Sequence, residues 1–162
     1  MLGRNPFLFP VVVLTSLLAL PGRSASELTI THPTATNSLQ EKELLSQNYV
    51  NQKLAIWQKR LNLDDWKITI VMSHPSDLRP KTLGNIHWDA DTRTAVIRVL
   101  DAADYTLPQQ DMLDDMEFTV VHELIHLELS SLPRSQASRS DEEHAVNRLA
   151  QALLDLDRRD RR

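Results

Sequence analysis

The spacing of apolar and polar positions divides the chain into six elements. From Gln40 onward, Leu44, Leu45, Val50, Leu54, Trp57 and Leu61 recur near the 3.6-residue period and predict a helix to about Arg60. Trp66-Lys67-Ile68-Thr69-Ile70-Val71 alternates apolar with polar, the pattern of a half-buried strand. His74-Pro75-Ser76-Asp77 carries turn chemistry. Leu83 to Trp88 and Ala95 to Leu100 read as two further strands, and the polar Asp89 to Thr94 between them predicts a hairpin. After a loop from Asp101 to Pro108, a helix is expected from about Gln110, with Asp111, Asp114 and Asp115 in its early turns, where acids are favoured. Between Met112 and Leu129 this segment is apolar on nearly every face, which marks a buried helix. It should end near Ser131-Leu132-Pro133. A polar loop from Arg134 to Ser140 then leads to a last helix, Asp141 to Asp157, with Val146, Leu149, Leu153 and Leu156 as its core face. One helix, three strands and two helices predict an α+β domain.

A chain of 162 residues has room for one such domain. Its expected extent is 40–157, with 158–162 as a charged tail and Glu27 to Leu39, rich in Thr, Ser, Pro and Asn, as a flexible linker. The first 26 residues read as a signal peptide. Arg4 gives the positive start, Phe7 to Leu20 the apolar run, and Ser24-Ala25-Ser26 the small residues at the cut. The run is short for a membrane span, which needs about 20 residues. Export is therefore expected, with an uncleaved N-terminal anchor as the alternative. Cleavage removes two of the 18 basic residues and no acid, leaving 16 against 22, a net charge of −6. The acidic balance and 5% aromatic content argue against a nucleic-acid surface. With no cysteine, neither a disulfide nor a lipoprotein anchor is possible, so the domain is held by its core, to which a bound metal would add.

The candidate chemistry lies in the buried helix. His122-Glu123-Leu124-Ile125-His126 is an H-E-x-x-H pentad. Histidines four apart share one face, so both imidazoles can hold one Zn²⁺. Glu123 can reach a water on that metal as general base. Glu128 is a departure, since metallopeptidase helices usually stay apolar there. A third protein ligand is expected. The glycine and third histidine of the longer H-E-x-x-H-x-x-G-x-x-H pattern are missing, because Leu129-Ser130-Ser131-Leu132 follows instead. Glu142, Glu143 and His144 remain as candidates. Periodicity against Val146 slightly favours Glu142. Ser140-Asp141-Glu142-Glu143 also fits a capping box, which would occupy Glu143 at the helix start.

The pentad, together with Glu142-Glu143-His144-Ala145-Val146-Asn147-Arg148-Leu149-Ala150, resembles a small gluzincin-type zinc metallopeptidase. The layout over roughly Leu54 to Leu154 is similar to the minigluzincins, to phage-type domains carrying T-V-V-H-E-L-I-H, and to IrrE/ImmA-like peptidases, in which a glutamate precedes an asparagine by four. The resemblance implies a compact zincin-like domain with a small three-stranded twisted sheet. It implies one zinc ion on His122, His126 and Glu143, Asn147 as support for a zinc-bound histidine, and Glu142 as nearly dispensable. It also implies a peptide or protein substrate, paired along a hairpin edge strand for which Ala95 to Val99 is the candidate. Tyr105, His87 and His144 are the candidate oxyanion donors. The competing expectation is an inactive zinc-binding, regulatory or structural domain using the same ligands.

Overall fold

A computed structural model describes residues 35–132 and 139–161. The expected signal segment, most of the expected linker, and residues 133–138, which include most of the expected polar loop, lie outside the described residues. The architecture is α+β, with three helices and a small mixed sheet. Helix α1 spans Ala35–Arg60, strand β1 Lys67–Ser73, β2 Gly84–Asp89 and β3 Thr94–Leu100. Helix α2 spans Gln109–Glu128 and α3 Arg139–Asp160. Among the described residues no helix is long and apolar enough to cross a membrane.

Helix α1 begins at Ala35, so the end of the expected linker is helical and Gln40 is not the first turn. Its buried stripe is Ser46, Val50, Lys53, Leu54 and Trp57. Leu44 and Leu45, expected on that stripe, are exposed. The helix stops where Asn62 takes a left-handed φ of 54°, a conformation that asparagine tolerates. There the Leu63 amide donates back to the Gln58 carbonyl and the Asn62 amide to that of Lys59, which closes the helix end with its own backbone.

The strand order is β1-β3-β2. β2 and β3 form the expected antiparallel hairpin, with Ile86 opposite Ile97, and Asp89 Oδ1 accepts the Asp91 amide at 2.9 Å to shape the turn. β1 pairs with β3 in parallel, Ile70 beside Ile97. β3 is therefore central. The expectation that Ala95 to Val99 forms an edge is corrected, and β2 is the hairpin's edge strand. Ala95, Ile97 and Val99 of β3 are buried on the helix side of the sheet.

Helix α2 packs against α1, α3, β2 and β3. Met112, Met116, Val120, Val121 and Leu124 are fully buried, as an all-round apolar helix requires. Glu128, the departure in the pattern, is exposed. On α3 the buried face is Val146, Ala150, Leu154 and Asp157. Leu149 and Leu156, expected in the core, are exposed. Asp157 is drawn inward because Arg60 of α1 donates to it at 2.7 Å and Arg161 also pairs with it. α3 extends to Asp160, so the expected tail is helical over its first residues.

Candidate metal centre

One face of α2 carries Asp115, Thr119, His122, Glu123 and His126 at helical spacing. The Nε2 atoms of His122 and His126 stand 3.0 Å apart. From α3, Glu143 lies across them, with Oε2 3.4 Å from His122 Nε2 and Oε1 3.4 Å from His126 Nε2. These three residues form a group that can hold a metal ion, their donor atoms all within 4.8 Å of one another. A tetrahedral ion with bonds of about 2.05 Å sets its donors about 3.3 Å apart. The observed separations have that size, so the residues fit such an ion. Helix α3 starts at Arg139, which leaves Ser140 inside the first turn rather than at a cap. The capping box expected there does not form, and the Glu143 carboxylate faces the histidines instead.

Glu142 has a different place. Its Oε1 is 3.1 Å from His126 Nδ1, on the far side of the ring from Nε2. A carboxylate there accepts a hydrogen bond from Nδ1–H and leaves the Nε2 lone pair free for a cation. The sequence expectation of a nearly dispensable Glu142 does not include this contact. The equivalent atom of His122, Nδ1, is buried without a hydrogen-bond partner. Asn147 reaches His122 from the next turn of α3, and its hydrogen bonding raises that imidazole's pKa. Burial first, and then the charge of His126, outweigh this and the pull of Glu143, holding His122 below its ordinary value. The neutral ring that results is the metal-binding form.

Glu123 is 7% exposed and makes no hydrogen bond or ion pair with any described residue. Its pKa is pushed up to about 8, by burial first and then by the negative charge of Glu143, against the opposing charge of Arg79. The edge strand approaches it closely. A Cβ on Gly84 would collide with Thr119 Cγ2, stand 2.7 Å from the Arg98 carbonyl oxygen and lie 3.6 Å from Glu123 Oε1. Only glycine lets β2 come this near to α2. The motif reading missed Gly84. The available signal was a lone glycine opening a strand in a chain with three glycines in all.

A cleft of about 420 Å³ opens over these groups, between the α2 face, the β2 edge and the start of α3. Arg79, Lys81, Trp88, Asp115 and Phe118 also line it, none of them singled out as a site residue by the sequence pattern. The three expected oxyanion donors do not. Tyr105 donates its hydroxyl to Asp115 Oδ2 at 2.8 Å. His87 is exposed between the inward-facing Ile86 and Trp88, and His144 is exposed on α3. In comparisons with known proteins, no family model, curated protein or solved structure matches this chain.

Proposed function

We propose that the chain is an exported zinc-dependent peptidase of gluzincin layout, with His122, His126 and Glu143 as metal ligands and Glu123 as general base. One observation carries this reading. Two imidazole nitrogens and a carboxylate converge at tetrahedral spacing beside a second carboxylate that is buried and unpaired. Two histidines and a glutamate suit zinc, and three protein ligands leave one position open. Zinc held there would supply a Lewis acid and make water a nucleophile near neutral pH.

The chain's own residues do the rest. A cation beside Glu123 favours its ionised form over the proton it otherwise keeps. The carboxylate can then take a proton from the attacking water and pass it to the departing amine. The β2 edge offers backbone groups to an extended peptide, and Gly84 keeps that edge against the base. His126 is kept in the ligating tautomer by Glu142 at Nδ1.

A closed structural zinc site would need a fourth protein ligand. Glu142 faces the wrong ring atom for it, and His144 lies outside the cleft. The test pairs metal analysis with peptide-library cleavage. The purified protein should carry one zinc per chain and cut peptides. Glu123→Gln should retain metal and fold and lose hydrolysis by about 10²-fold to 10⁴-fold. Equal cleavage by the variant, or metal retention in His122→Ala, would remove the reading.

A further inference from the structure

The cleft continues beyond the metal centre toward the first half of α2, and its character changes there. Two turns before His122, the half-buried Asp115 lines the cleft together with the half-buried rings of Trp88 and Phe118. Asp115 Oδ2 receives the Tyr105 hydroxyl at 2.8 Å, which fixes the carboxylate in place. The backbone below it is anchored as well, since Thr119 Oγ1 donates to the Asp115 carbonyl at 3.0 Å. No cation among the described residues pairs with Asp115. Its neighbour Asp114 takes Arg158 at 3.5 Å, and the charge of Arg79 acts on Glu123 instead.

We infer that Asp115, Trp88 and Phe118 form a specificity subsite for a basic side chain of the substrate, lysine or arginine. Aromatic walls suit the aliphatic stem of such a side chain and attract its charged head. A fixed carboxylate lining the same cleft supplies the counter-charge. Asp115 lies seven residues before His122, or about 10 Å along the helix. An extended peptide advances about 3.4 Å per residue, so the subsite reads a side chain within about three residues of the bond at the metal centre. The inference rests on the peptidase reading for its substrate class, and its test is separable from that reading.

The probe is a set of peptides identical except for one residue, lysine, glutamine or glutamate, moved through the three places on each side of the scissile bond. Binding is measured by calorimetry to zinc-loaded Glu123→Gln, which holds peptide without cutting it. At one place the lysine peptide should bind at least about tenfold tighter than the glutamine peptide, with glutamate weakest. Asp115→Asn, which keeps the acceptor for Tyr105, should erase the difference, and Asp115→Lys should invert it. Equal binding of the three peptides at every place overturns the subsite, and so does a preference that survives Asp115→Asn. If circular dichroism shows either Asp115 variant unfolded, the peptide series on Glu123→Gln decides alone. The wild type separates the two claims. Selective binding without cleavage keeps the subsite and removes the peptidase, while indiscriminate cleavage does the reverse. Binding of no peptide at all removes both.

Discussion

Glu117 and Glu123 lie six residues apart on one helix, both nearly inaccessible to solvent, and they are driven in opposite directions. Glu117 is 2% exposed and Glu123 is 7% exposed. Burial raises the pKa of each. For Glu117 this is outweighed by Lys53, whose Nζ stands 2.8 Å from Oε2, by Trp57 Nε1 at 2.9 Å and by the Tyr49 hydroxyl at 3.0 Å. Its carboxyl is held below the usual range. Glu123 has no such partners, and the adjacent Glu143 adds to its burden. Burial therefore does not decide what a carboxylate does; its partners do. The satisfied glutamate ties α2 to α1, and the unsatisfied one keeps a raised pKa beside the group that can hold a metal.

The contrast can be broken from either side. The largest stability effect should come from Glu117→Ala, which strands a buried lysine and frees Tyr49 and Trp57. It should cost about 3–5 kcal/mol, as breaking one side of a buried ion pair does. Urea denaturation measures it, and a loss below about 1 kcal/mol would show that the knot is incidental. Next is Glu142→Ala. By removing the group that orients His126, it should weaken zinc binding by about 10-fold to 100-fold in a chelator competition. An unchanged affinity would leave Glu142 in the minor role that the resemblance implies.

The subtlest effect is the pH dependence of the metal-free protein. Glu117 has a folded pKa below its unfolded value. Its contribution is present above the unfolded value and is lost as pH falls through the folded one. Glu123 has a folded pKa of about 8 against an ordinary value of 4.5. Its folded form holds a proton that the unfolded chain releases first, so stability falls as pH rises from 4.5 to about 8. Melting temperatures taken in chelator should decline on both limbs. Glu123→Gln should reduce the decline on the neutral limb, and Glu117→Gln that on the acid limb, where Asp157, also held below its ordinary value, keeps part of it. A neutral limb that is unchanged in Glu123→Gln would mean that another group titrates there.

The legible part of the molecule is the part set by local pattern. The three helices, the hairpin and the convergence of His122 with His126 follow from residues close in sequence. What was misread depends on distant neighbours. Strand alternation shows which residues of β3 face inward but says nothing of strand order, so the parallel partner β1 was invisible and β3 passed for an edge. Leu149 and Leu156 fit an apolar stripe, yet Ala150 and Asp157 hold the core positions, because α3 docks by its smaller face and Arg60 draws Asp157 in. Glu142 and Glu143 differ by one step around the helix. That step sends one carboxylate to Nδ1 of His126 and the other to the Nε2 pair, and only the crossing of α2 by α3 decides which.

That crossing also makes the site a cross-link. His126 and Glu143 lie 17 positions apart in the chain. An ion bound to both would pin α3 to α2 only while the chain is folded, because the unfolded chain has no preformed site. Its binding free energy would then be folding free energy. A centre that serves chemistry on its open side would thus serve stability on its closed one. It would hold the last helix of a domain that has no disulfide to do so.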